Sequence, residues 1–226
     1  MTVAAVVLAD SIAAAMTNAD GLARVRRIVD TAWSGGALPI VVVTPDADRQ
    51  VLTALAGATA TLVEPGADDG RTVLRLQLGV DSAVELVAAT RAVLVWPSVM
   101  CWVGPETVTS LIETHGARPD ALLEPTYAGV AGWPKLLPLT QPDGVAALAR
   151  LLDDPAGTLD VTALDIAVLA IELGDPGVTR DGNTARSELP PYDGPQGPVH
   201  DHRHEWGDSM DELAGEPSRS PVSGRD

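Results

Sequence analysis

What most constrains this chain is a set of short, unbroken apolar runs, rich in β-branched residues, that recur between stretches of helical periodicity. Val3 to Leu8 (VAAVVL), Pro39 to Thr44 (PIVVVT), Ala60 to Glu64 (ATLVE), Ala92 to Trp96 (AVLVW), Ala121 to Glu124 and Ala167 to Leu173 all have strand length. They are largely continuous rather than alternating in polarity, the pattern of strands covered on both faces. Between the first two, Leu22, Val25, Ile28, Val29 and Ala32 fall at helical spacing within Asp20 to Trp33, and Ser34-Gly35-Gly36 ends the pattern. Asp46 to Ala56 and Gly70 to Ala88 also read as helices. Pro105 opens another, running to about His115, at a position where its missing N–H costs nothing. Asp143 to Leu152 reads as the last. Repeated strand–helix–strand units predict a largely parallel sheet with helices on both faces.

The material of the core follows from composition. Hydrophobic residues make up 46% of the 226, enough for a substantial interior, but only 3% are aromatic and Phe is absent. Ala, Val and Leu must therefore fill it. Fifteen basic against 31 acidic side chains give a formal charge of −16, which argues against a nucleic-acid partner, because phosphate binding needs clustered cations. The single cysteine, Cys101, excludes an internal disulfide or a Cys-based zinc site. Met1 to Met16 is apolar, yet it lacks a basic leading segment and Asp10 interrupts it. No apolar stretch reaches the ~20 residues of a membrane span. The expectation is a cytoplasmic protein with no membrane association.

Near Glu188 the composition changes, dividing the chain into a domain of residues 1–187 and an acidic, Pro-rich arm of residues 188–226. The arm carries nine acidic and three basic residues and six prolines. It has too little apolar surface to offset ~1–2 kcal/mol of backbone ordering per residue. It is expected to extend into solvent or to drape over a surface. Trp206, Met210 and Leu213 have the spacing of one short docking turn. Alternate residues of an extended chain share a face, which makes His200, His202 and His204 candidate ligands for Zn²⁺ or Ni²⁺. No supporting hydrogen-bond partner or rigid frame is evident for them, so a solvated arm that binds nothing is the competing reading.

Four places along residues 1–188 carry a resemblance. They are Leu8-Ala9-Asp10-Ser11 running on to Asp20, Ser98-Val99-Met100-Cys101-Trp102-Val103-Gly104-Pro105-Glu106-Thr107-Val108, Gly132-Trp133-Pro134, and Asp175-Pro176-Gly177 running on to Asp181-Gly182-Asn183-Thr184. In order and spacing they resemble the LAAGxSxRMGxxK loop, the GDxP turn with TPETV, the GHP motif and the DPGxxxDIDTPED segment of the MobA-like nucleotidyltransferases. The molybdenum-cofactor cytidylyltransferase branch is the most similar. The resemblance implies a Rossmann-like, three-layer α/β/α nucleotidyltransferase fold with a mostly parallel mixed sheet. It also implies a nucleotide-binding site at Leu8, Ala9, Gly132 and Pro134.

The departures fall on the chemistry. In the family, loop glycines let backbone N–H groups approach the NTP phosphates, Arg and Lys offset phosphate charge, and the GDxP aspartate holds Mg²⁺. Here Ser11 replaces the glycine beside Asp10, Ala14 and Ala15 replace the arginines, and Asp20 replaces the lysine. Val99 stands at the metal position and Asn183 at a later acidic one. The expectation is a vestigial site with no catalytic residue and no cofactor, in a binding, structural or regulatory protein with a protein partner, for which the C-terminal arm is the candidate contact. The alternative is an active transferase moving CMP or GMP from CTP or GTP to molybdopterin or another phosphorylated acceptor, with Mg²⁺ at a site relocated to Asp10 and Asp181. A further possibility is that acidic residues of the tail imitate phosphate in the cleft.

The remaining singular residues have plain expectations. Cys101 reads as a small buried hydrophobe, with no His near it in sequence. Ser11 lacks a GxSxG elbow and a base. His115 is expected to cap its helix electrostatically. Trp96, Trp102 and Trp133 are expected to gather near the cleft, filling it or forming an apolar surface.

Overall fold

A computed structural model describes residues 2–66, 71–141, 143–154 and 166–194. In chain order these form β1 (Thr2–Leu8), α1 (Ile12–Met16), β2 (Asn18–Ala19), β3 (Leu22–Ala23), α2 (Arg24–Ser34), β4 (Ile40–Val43), α3 (Gln50–Ala54) and β5 (Thr61–Val63). There follow α4 (Thr72–Leu86), β6 (Thr90–Pro97), α5 (Pro105–Ala117), β7 (Leu122–Tyr127), β8 (Val130–Ala131), β9 (Lys135–Pro138), α6 (Gly144–Leu152) and β10 (Val168–Glu172).

Every residue of β1 after Thr2 is buried, because the strand is paired in parallel on both sides, with β4 and with β6. Among the described residues the sheet runs β10-β7-β9-β6-β1-β4-β5, with β8 folded back on β7. β9 is antiparallel to both its neighbours, which makes this mostly parallel sheet a mixed one. Alternation along β1 sorts the two layers of core. Val3, Ala5 and Val7 face a cluster with Val25, Ile28, Val108 and Leu111 of α2 and α5. Ala4, Val6 and Leu8 face Leu76, Val80, Ala83 and Leu148 of α4 and α6. Gly79 lets α4 settle on the sheet, since a Cβ there would lie 2.4 Å from Val6 Cγ1. The architecture is the expected three-layer α/β/α sandwich.

Three local expectations change. The helix read from Asp20 begins only at Arg24. Before it, Asp20-Gly21 adopts positive φ at both residues (56° and 86°) and closes the β2–β3 hairpin, a turn that Asp-Gly favours. Residues 12–16, unassigned in the sequence reading, form α1, whose first turn Ser11 caps by accepting from the Ala14 N–H at 3.1 Å. β9 was likewise not anticipated, because prolines 134 and 138 punctuate its run and its first residue is a lysine.

At the start of the segment read as an arm, Arg186–Glu188 makes a 3₁₀ turn across the boundary, and within it the Asp193 N–H donates to the Gly174 carbonyl at 2.9 Å. His200, His202, His204 and the proposed docking turn lie outside the described residues. Among the described residues no helix is long and apolar enough to cross a membrane.

Candidate functional site

From β1 the chain steps to β4 and β5 on one side, then returns through α4 to β6 on the other. β1 and β6 stay paired to their ends, with Leu8 opposite Pro97, but the chain leaving β1 leads towards β4 and the chain leaving β6 towards β7, on the other side, and crevices at such points are where open α/β sheets bind ligands. A cleft of about 580 Å³ opens there. Leu8 and Asp10 follow β1, Pro97, Val99 and Met100 follow β6, and Thr72 and Arg75 come from α4. Glu124, Ala131, Trp133 and Lys135 come from the β7–β9 side, Leu151 to Asp154 from the end of α6, and Asp181 completes the lining. Thr72 and Asp153 are hydrogen-bonded, tying the start of α4 to the end of α6.

Charge in this cleft is paired and predominantly negative. Five carboxylates (Asp10, Glu124, Asp153, Asp154 and Asp181) face two cations, Arg75 and Lys135. Arg75 Nη2 donates to Asp10 Oδ1 at 2.6 Å, joining an arginine side chain 12% exposed to an aspartate 83% exposed. Arg75 Nε is buried without a hydrogen-bond partner. Lys135 Nζ donates to Glu124 Oε2, and both side chains are buried. The register that sets Leu123 opposite Leu136 makes them the next pair across β7 and β9. The Trp133 ring centroid lies 5.1 Å from the same ammonium. Burial pulls the Lys135 pKa down, opposed by the charge and hydrogen bond of Glu124. Asp181 accepts from the Asn183 N–H at 3.0 Å and from Asn183 Nδ2 at 2.9 Å. Asn183 Oδ1 in turn accepts from buried Arg24 at 3.0 Å. Among the described residues, no three His, Cys, Asp or Glu side chains converge to hold a metal ion.

The positions singled out from sequence are distributed unevenly. Leu8 lines the cleft. Ala9 is buried beside it and donates its N–H to the Val43 carbonyl at 3.1 Å. Residues 131, 133 and 135 face the cleft, whereas Gly132 and Pro134 do not. Gly132 packs on the Val178 carbonyl, where a Cβ would come within 2.2 Å of the oxygen. Of Asp10, Asp20, Val99 and Asn183, only Asp10 and Val99 line the cleft. Asn183 stands behind Asp181, and Asp20 is held elsewhere, by Arg27 and Arg186. Arg75 and Lys135 are the cations that motif reading missed. The available signal was a sole lysine inside the apolar run Pro134-Lys135-Leu136-Leu137, where a charge is costly unless paired.

Cys101 is buried and free, with burial pushing its thiol up and the Arg24 charge pulling the other way. Of the three tryptophans only Trp133 lines the cleft. Trp96 is in the core, donating to the Met100 carbonyl at 2.8 Å, and Trp102 lies beneath Arg27. His115 is not a charged cap. It is buried with neither ring nitrogen hydrogen-bonded, and desolvation lowers its pKa.

By sequence, no protein-family model matches the chain and no curated protein does. In fold it is similar to Rv0371c of Mycobacterium tuberculosis H37Rv, solved in complex with manganese (TM-score 0.55, 16% identity, over 76% of this chain and 89% of that one). A nucleotidyl transferase from Methanothermobacter is also similar (TM-score 0.52, 17% identity, 76% and 87% covered). So is a CMP:2-keto-3-deoxy-manno-octonic acid synthetase complexed with CTP (TM-score 0.54, 10% identity, 76% and 90% covered). At these identities the likeness is one of fold, and the fold is nucleotidyltransferase-like.

Proposed function

We propose that this chain is a catalytically degenerate relative of the MobA-like nucleotidyltransferases, of the molybdenum-cofactor branch, that serves as a binding, structural or regulatory protein. One observation carries the reading: both cations of the cleft already hold carboxylates of the same chain, Arg75 with Asp10 and Lys135 with Glu124. Like unit charges ~5 Å apart repel by about 3 kcal/mol at an effective dielectric of 20. A triphosphate entering this cleft meets several such terms and no unpaired cation among the described residues that line it.

The residues present do not fit a magnesium nucleotide. The position matching the family's metal aspartate is Val99, exposed at the cleft, and Asp10 is committed to Arg75. In this reading the protein works in the cytoplasm through a protein partner engaged by the acidic C-terminal arm. The net charge of −16 supports leaving nucleic acid out.

Isothermal titration of the full chain with CTP and with GTP, each with Mg²⁺, tests the reading. No binding in the micromolar range is expected, and micromolar binding of either nucleotide would reject it. The placement of Asp10 and Asp181 in one cleft favours the competing reading, an active transferase with a relocated metal site. That reading requires Mg²⁺-dependent pyrophosphate release from CTP or GTP that Asp10→Ala abolishes. An absent or unaffected rate counts against it.

A further inference from the structure

Pairing two charges inside a sheet is an inefficient way to stabilise it, because each gives up its hydration and apolar residues of similar volume do as well or better. The Glu124–Lys135 pair is not sealed in the core, however. With side chains 9% and 6% exposed, both residues form part of the wall of the 580 Å³ cleft. Lys135 is the only lysine in the sequence. Its ammonium is flanked by the Trp133 ring at 5.1 Å and by β6 at Val95, its register partner. A poorly hydrated ammonium that opens on a cavity beside an aromatic ring is suited to an anion, since little water competes for its N–H groups. In this chain that anion is supplied from the neighbouring strand, in a position the β7–β9 register dictates.

We propose that Glu124 is a specificity-determining residue that acts as a built-in anion. Its carboxylate occupies the hydrogen-bonding position on Lys135 that a ligand phosphate would take, and so closes the cleft to phosphorylated ligands. The inference rests on the reading of the cleft given under the proposed function and names the residue responsible. It assigns Lys135 a latent phosphate-binding role that neutralising one neighbour restores.

The experiment compares the full chain with Glu124→Gln, Glu124→Thr and the double variant Glu124→Gln/Lys135→Met, titrated with inorganic pyrophosphate and with CTP plus Mg²⁺. Intrinsic tryptophan fluorescence, compared with that of a Trp133→Leu background, serves as a second readout. Without Glu124, burial alone acts on Lys135 and favours its neutral form, so titrations run at about pH 6 as well as about pH 8. Pyrophosphate should bind Glu124→Gln at least about tenfold more tightly than it binds the unsubstituted chain. The gain should be larger at the lower pH and absent from the double variant. No gain in a folded Glu124→Gln or Glu124→Thr, or a gain that survives Lys135→Met, overturns the proposal. Failure of both single variants to fold would do the same, by assigning the pair to stability. Micromolar CTP binding by the unsubstituted chain would instead overturn the reading on which the proposal rests, so the two failures are distinguishable.

Discussion

Gly177 has no room for a side chain. A Cβ there would lie 2.3 Å from the Trp102 carbonyl oxygen and 2.4 Å from its carbon, both backbone atoms that cannot swing aside. Gly177→Ala should therefore destabilise the protein by about 1–3 kcal/mol, read as a lower midpoint in urea with an unchanged slope. Substitution at Gly116, where nothing lies within 4 Å of a Cβ, provides the contrast. His115 tests charge at the same scale. Its pKa is lowered by burial, with Asp120 acting in the opposite direction. The unfolded chain thus takes up a proton before the folded one does. The stabilisation of the neutral ring is complete above the ordinary value of 6.5 and is lost as the pH falls through the lowered value. Thermal melts between about pH 7 and pH 5 should show stability declining on acidification, and His115→Leu should flatten that part of the profile. A helix-terminal histidine in sequence invites the opposite expectation, a charged cap. Only packing distinguishes the two.

Two carboxylates act on whole elements. Asp175 is buried and accepts from the Gly104 N–H at 2.8 Å, the Thr107 hydroxyl at 2.6 Å and the Gly177 N–H at 2.8 Å. It clamps the start of α5 to the 3₁₀ turn at Pro176–Val178. Asp175→Ala leaves those donors unsatisfied and should cost about 2–4 kcal/mol in chemical denaturation. Glu172, at the end of β10, reaches across to the turn between β7 and β8. It accepts from the Gly129 and Ala128 N–H groups and from the Thr126 hydroxyl. The Gly129 N–H is the largest of several influences holding its carboxyl below the usual range. Its stabilising contribution is present above 4.5 and is lost as the pH falls through the lowered value. Glu172→Gln should remove that acid dependence and speed amide exchange at Ala128 and Gly129. Element reading from sequence succeeded where packing is simplest. Continuous β-branched runs predicted β1, β4 and β6 because both their faces are covered, and the half-buried edge strand β5 by the same pattern. It failed at β2, β3, β8 and β9, whose short or proline-bracketed segments owe their conformation to a turn or to neighbouring strands.

At the scale of the whole molecule, Tyr192 reports on whether residues 189–194 lie against the domain. Burial, with Glu106 and Asp175 nearby, pushes its phenol up to about 12. Its contribution to stability is present below the ordinary value of 10.0 and is lost as the pH rises toward about 12. Absorbance titration should show Tyr192 ionising near 12; ionisation at the ordinary value would mean the segment is undocked. The layered architecture was legible in the chain, because hydrophobic periodicity is a local property that survives without knowledge of partners. Leu8, Asp10 and Val99, singled out through motif resemblance, line one cleft in the fold. Most of the rest of the cleft was not legible in the chain. Asp181 stood in one of the quoted motifs, but Arg75, Glu124 and Lys135 stand in none of them, and only the fold brings them to the same cleft. Sequence by itself determined which segments form the parallel-paired strands of the sheet and where the longer helices between them lie. Tertiary structure alone decided that Arg75 and Lys135 line the cleft and that each is already paired with a carboxylate. Charge pairing depends on distance in space, and the strand register and helix packing that create that distance are written across the whole chain.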